Sequence, residues 1–141
     1  MPDVIVSCVN IHKSFLMGRE AVQALRGIDL DVLRGEMVCL MGPSGSGKTT
    51  LLNIIGGLEE PSRGHVIVDG ENVVALSEDA LSEMRLTKMG FVFQNYNLLA
   101  NFTAWENVEV PLALAGVGRR ERRRKVEYLL DLVGLGDRAQ H

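Results

Sequence analysis

The chain has 141 residues, 46% hydrophobic and 23% charged, with a formal charge of −3. That balance excludes a disordered chain or a disulfide scaffold, and the length suits one domain, or part of one, with a packed core. Six of the 15 positive residues fall between Arg119 and Lys125. No aromatic residue interrupts that run and it leads into an apolar helical pattern, so it reads as a solvated helix face and no nucleic-acid partner is expected.

Met1-Pro2-Asp3 has neither the basic nor the apolar region of a secretory signal, so a cytoplasmic location is expected. Val4 to Val9 is β-rich, and Ile28, Leu30 and Val32 alternate with Asp29 and Asp31. Both stretches predict antiparallel strands at a sheet margin. After the turn at Arg34-Gly35-Glu36, Met37 to Met41 is apolar at every position, as in a central strand covered on both faces. Cys8 and Cys39 lie in these runs without a partner at metal-ligand spacing, which predicts two buried, reduced thiols.

A glycine-rich stretch follows, and from Lys48 a helical pattern runs to Gly56-Gly57. Pro61 to Gly64 predicts a turn, His65 to Asp69 a short strand and Gly70 another turn. Ser77 is placed to cap a helix that carries Glu78 and Asp79 in its first turn and ends near Thr87. Gly90 to Gln94 reads as a second buried strand, followed by a polar loop from Asn95 to Phe102. Thr103 and Glu106 have capping-box spacing, predicting a helix bent or broken at Pro111. A last helix is expected from Arg119 to Val133, with Val126, Leu129, Leu130 and Val133 on one face and Gly134 at its C-terminus. No apolar run approaches the ~20 residues of a spanning helix, so no part of the chain is expected to cross a bilayer.

The segment Gly42-Pro43-Ser44-Gly45-Ser46-Gly47-Lys48-Thr49 matches G-x-x-x-x-G-K-[ST], the P-loop. Backbone N–H groups that curl around a phosphate need residues without a Cβ to block the approach, and Gly45 and Gly47 supply them. Lys48 is placed to reach the outer phosphates, the Thr49 hydroxyl to reach Mg²⁺, and the helix N-terminus adds partial positive charge. The expected nucleotide-binding set is Gly42, Pro43, Ser44, Gly45, Ser46, Gly47, Lys48, Thr49 and Thr50. The bland alternative is a Gly-Ser turn joining strand to helix.

Gly42 to Leu58, together with Phe91-Val92-Phe93-Gln94, resembles the ATP-binding-cassette ATPases of membrane transporters, and the match runs over essentially the whole chain. The resemblance implies an α/β fold: a P-loop core with only part of the sheet, antiparallel strands before it and a helical segment after Gln94. It implies ATP and Mg²⁺ as ligands, with Lys48 and Gln94 as catalytic residues and Thr49 and Gln94 at the metal. It also implies that Phe15 stacks on adenine, where the family more often has tyrosine; the alternative is a core Phe closing a hairpin.

By the same resemblance, a transmembrane permease docks near Asn95 to Val110, a second nucleotide-binding domain completes a dimer, and the protein sits on the inner face of the membrane. Ala24 to Gly27, Asn97 to Leu99 and Glu106 to Val108 are similar to the group serving lipoprotein release and macrolide export. The family's Leu-Ser-Gly-Gly-Gln signature, its Asp-Glu pair after an apolar strand and its later histidine do not occur in these residues. Val66 to Asp69 and Tyr128 to Asp131 imitate the strand before that pair, but they read as a hairpin and a helix. Residues 1–141 are therefore expected to be a nucleotide-binding domain cut before those motifs, binding ATP without turnover. A P-loop nucleotide kinase and a non-hydrolysing ATP-binding fragment are the alternatives.

Overall fold

The computed structural model describes residues 3–141, the side chain of Met17 excepted. The reading of Met1 and Pro2 as free of a targeting signal lies outside the described residues. Two compact units divide the chain, the first ending at Arg85 and the second starting at Leu86.

The first unit is built on a long hairpin, β1 (Val4–Met17) and β2 (Glu20–Leu33), turned at Gly18. On its other edge β1 pairs with β3 (Arg63–Val68), which pairs with the two-residue β4 (Glu71–Asn72); the order is β2-β1-β3-β4 and every pair is antiparallel. β1 runs well past Val9, where the β-rich stretch was expected to end. Its register with β2 shifts between Cys8 and Ile11, and again at Ile11/His12 and Lys13/Ser14. Each irregularity turns following side chains to the other face, so the period of two is lost while the strand continues. Asn10 takes the bend with φ of 50°, and its amide donates to Asp29 Oδ1 at 2.7 Å. Gly64 lies against the backbone of Val9 and Asn10, where no Cβ would fit.

Helix α1 (Lys48–Ile55) buries Leu51 and Ile54, and α2 (Glu78–Lys88) buries Leu81 and Met84. With Cys8, Ile11, Leu25, Val66, Val68 and Val73 they form the core of this unit. The Ser77 hydroxyl accepts from the Ala80 amide at 3.3 Å, the cap expected there.

The second unit pairs α3 (Ala104–Leu114) with α4 (Arg119–Leu132). Thr103 and Glu106 form a complete capping box. Pro111 lies inside α3 without breaking it. A proline removes one donor, here the one facing the Asn107 carbonyl four residues back, and the helix tolerates that loss for the single turn it has left. α4 ends in a Schellman motif: Gly134, at φ 72°, donates to Asp131 O at 3.0 Å and Leu135 to Leu130 O at 2.8 Å. Only Val126 and Leu130 of its expected apolar face are buried; Leu129 and Val133 remain 40% and 65% exposed. One facing helix covers a narrower stripe than the sequence supplies.

The two expected central strands are not strands. Met37 to Met41 and Gly90 to Phe93 carry no ladder pairing, and Met37, Met41 and Val92 are almost wholly exposed. Cys39 is accordingly exposed, not buried. An all-apolar run announces a strand with neighbours on both sides and cover on both faces, and among the described residues none pairs with either segment. The fold class stands as α/β, with antiparallel strands before the glycine loop and helices after Gln94.

Candidate nucleotide-binding site

The glycine loop lies between Met41 and the first residue of α1. Gly45 and Gly47 have φ of 78° and 91°, the left-handed region where a Cβ is strained. At Gly47 the restriction is also one of space: an added Cβ would lie 2.7 Å from the Ala24 carbonyl oxygen and 2.8 Å from Leu25 Cδ2. The β1–β2 ladder steps from Lys13–Leu25 to Ser14–Gln23 and passes over Ala24. The glycine loop therefore rests on a residue that the ladder leaves out. Phe15, paired with Val22, stands two residues farther along β1, a rise of ~7 Å.

Lys48 curls back over the loop. Its Nζ donates to Gly42 O at 2.8 Å, Pro43 O at 2.7 Å and Ser46 Oγ at 3.1 Å, while the Ser46 amide donates to Pro43 O at 3.3 Å. The ammonium thus sits among oxygen atoms of its own loop, a role that phosphate oxygens can take over. The N-terminus of α1 is bare: Gly47 offers no side-chain cap and the first turn holds no acidic residue. Its leading amides and the positive end of its dipole are left for an anion. Thr49 is exposed and Thr50 half-buried in this first turn. The arrangement fits a triphosphate, because the groups at the loop and helix start are mainly donors and the backbone approaches closely without a Cβ.

Phe15 is 37% exposed, with Lys13 Nζ 5.1 Å from its ring centroid. It stands at the surface of the hairpin and not in the core, with the loop and α1 in the same unit. Gln94 belongs to the second unit, exposed at the start of a turn through Asn97. Ahead of it the Phe91 and Phe93 rings stack, centroids 5.6 Å apart. Tyr96 and Asn97 both adopt positive φ, 58° and 53°.

In the stretch from Asn95 to Val110, Asn107 does the organising. Its Nδ2 donates to Leu99 O at 3.2 Å, Phe102 O at 3.1 Å and Thr103 O at 3.0 Å, and its Oδ1 accepts from the Leu99 amide at 2.8 Å. Sequence reasoning gave Asn107 no role; the available signal was an amide side chain four residues after the capping threonine, facing a polar loop. The Ala104 and Trp105 amides at the start of α3 donate to His141 O and Ala139 O, both at 2.8 Å. Among the described residues no three acidic, His or Cys side chains gather into a metal cluster. Nor is any helix there long and apolar enough to cross a membrane.

A glycine loop rich in donors and a bare helix start define a P-loop nucleotide-binding protein. Residues 25–141 match the family described as "ABC transporter", and the chain belongs to that family. It is 48% identical over 137 residues to an uncharacterized ABC transporter ATP-binding protein of Thermotoga maritima, covering 97% of this chain and 58% of that protein. It is 48% identical over 140 residues to the macrolide export ATP-binding/permease protein MacB of Marinobacter nauticus, covering 99% of this chain and 22% of that one. A solved structure described as a dimeric post-hydrolysis state of the ATP-binding cassette MJ0796, bound to ADP and Pi, superposes with a TM-score of 0.87 at 42% identity, covering 96% of this chain and 60% of that one. The chain thus spans 58% of the Thermotoga relative and 60% of the solved cassette.

Proposed function

We propose that this chain is the phosphate-binding part of the ATPase that drives a membrane transporter. The observation that carries the reading is Lys48 held among three loop oxygens at the mouth of an uncapped helix N-terminus. In this reading the loop amides from Ser44 to Lys48 receive the phosphates, Lys48 exchanges its carbonyl partners for their outer oxygens, and Thr49 and Thr50 line the first turn of α1. Phe15 offers its ring to the adenine. Thr49 would hold Mg²⁺ at the start of α1, a role the family resemblance extends to Gln94, and the ion would supply charge neutralisation at the phosphates. Gln94 positions the attacking water.

The stretch from Asn95 to Val110 is proposed as the docking face for a permease, with Asn107 keeping its loop in shape, and a second cassette as the partner across the nucleotide. The protein then sits on the cytoplasmic face of the membrane. Relatives named for macrolide export favour the lipoprotein-release and macrolide-efflux group over other transporters. These residues hold no Asp-Glu pair to serve as general base, so the chain by itself is proposed to bind Mg-ATP without turning it over.

Titration with a fluorescent ATP analogue and Mg²⁺, beside Lys48→Ala, tests the reading. Saturable binding lost in the variant, without phosphate release, is the expected result. Phosphate release that Lys48→Ala abolishes would overturn the claim of no turnover, and binding indifferent to Lys48 would overturn the site.

A further inference from the structure

We propose that Lys13 is a positioning residue for the nucleotide base: it seats one face of Phe15 and ties that ring to the loop leaving the P-loop helix, so that the opposite face is presented to the purine. The proposal rests on the reading of Phe15 as the base platform. Lys13 precedes Phe15 by two residues on β1, and its side chain is only 15% exposed. Its ammonium has three engagements. It lies 5.1 Å from the Phe15 centroid, pairs with Glu59 Oε1 at 3.1 Å and donates to Glu60 O at 2.6 Å. Glu59 and Glu60 sit just past the C-terminal end of α1, whose other end is the phosphate site. A single cation therefore spans the base platform and the far end of the helix that receives the phosphates.

The physical need for such a group is plain in this sequence. Phe15 has no hydroxyl by which a neighbour could hold it, and it stands near the tip of a hairpin, 37% exposed. A ring free to change rotamer must be ordered when the base binds, at a cost to affinity. A desolvated ammonium against one π face fixes the ring beforehand and blocks that face from solvent and ligand alike. The same ammonium, anchored by a carboxylate and a backbone carbonyl, has little rotamer freedom of its own to lose. Because Lys13 pairs with Leu25, and Leu25 Cδ2 is one of the atoms facing Gly47, the same rung of the sheet carries both the Lys13 anchor and the seat of the glycine loop.

Calorimetric titration of the unaltered chain, Lys13→Met, Lys13→Arg, Phe15→Ala and the Lys13→Met/Phe15→Ala pair, each with Mg-ATP and with Mg-tripolyphosphate, tests the proposal. Lys13→Met is expected to weaken ATP roughly three- to tenfold and leave tripolyphosphate unchanged, since a partly desolvated cation–π contact is of that size. Lys13→Arg should restore ATP affinity, and the double variant should bind ATP no more weakly than Phe15→Ala. Glu59→Gln, which frees the ammonium but keeps the lysine, should show a smaller loss of the same kind and serves if Lys13→Met does not fold. If Phe15→Ala leaves ATP affinity intact, the platform reading fails and this proposal with it. If Phe15→Ala weakens ATP but Lys13→Met does not, only the role of Lys13 is overturned. Equal loss of ATP and tripolyphosphate in Lys13→Met would make the lysine a general structural contact and overturn the proposal, as would the absence of saturable ATP binding by the unaltered chain at millimolar concentration.

Discussion

Gly47 and Ala24 meet backbone to backbone: a Cβ on Gly47 would stand 2.7 Å from the Ala24 carbonyl oxygen. This contact seats the phosphate loop on the hairpin at a residue its ladder skips. Gly47→Ala adds both the clash and an L side chain at φ 91°, so a loss of ~1–3 kcal/mol in urea unfolding is expected, together with loss of ATP binding. Ala24→Gly should not rescue it, because the obstructing atom is main chain.

Lys48 should behave in the opposite way. Its partners are carbonyls and a hydroxyl of an exposed loop, so Lys48→Ala is expected to change unfolding free energy by no more than about 0.5 kcal/mol. Affinity for Mg-tripolyphosphate should fall at least about tenfold in the same protein, the loss of one charge-assisted contact. A variant that lost stability and binding in proportion would show that Lys48 holds the loop together instead of serving the ligand.

Acid should loosen the second unit through Glu109. Arg122 Nε donates to Glu109 Oε1 at 2.8 Å and joins α4 to α3, and this hydrogen bond foremost holds the Glu109 carboxyl below the usual carboxylate range. A depressed folded pKa means the contribution is present above the unfolded value, about 4.3, and is lost as pH falls through the folded one. Fluorescence of Trp105, four residues before Glu109 in α3, should report the transition. Glu109→Gln should flatten the acid limb between about pH 5 and 3; an unchanged limb would remove Glu109 from the explanation.

The two cysteines should separate by reactivity. Cys8 is 2% exposed, and burial, with Asp31 adding, pushes its thiol up to about 11; Cys39 is exposed. At pH 8 a thiol reagent should modify Cys39 rapidly and Cys8 only as the chain unfolds. The raised Cys8 pKa favours the folded state fully below the unfolded thiol value and is lost as pH rises from about 9 to 11, a change of roughly 2–3 kcal/mol. Cys8→Ala should remove that alkaline limb of the stability curve, and mass spectrometry of the labelled chain would show which thiol reacts first.

Much of the molecule was legible locally. The capping box at Thr103 and Glu106, the Ser77 cap and the turn at Gly134 involve groups a few residues apart, whose hydrogen bonds need no distant partner. The full length of β1 was not legible, because register shifts at four points erase the alternation by which a strand is recognised. Helix α3 runs on through Pro111, where a bend or a break was expected, since one missing donor near a helix end costs less than the proline rule for interiors suggests.

The sequence by itself determined the phosphate loop: Gly45, Gly47 and Lys48 act through backbone freedom, amide direction and one short-range charge, all properties of a single segment. Tertiary structure alone decided what that segment touches. That the loop is seated at Ala24, that Lys13 and Phe15 meet, that Cys39 faces solvent and that Met37 to Met41 has no ladder partner are relations between residues far apart in the chain. An apolar run states only that burial would be favourable; whether a neighbouring strand is there to bury it is settled by the rest of the fold.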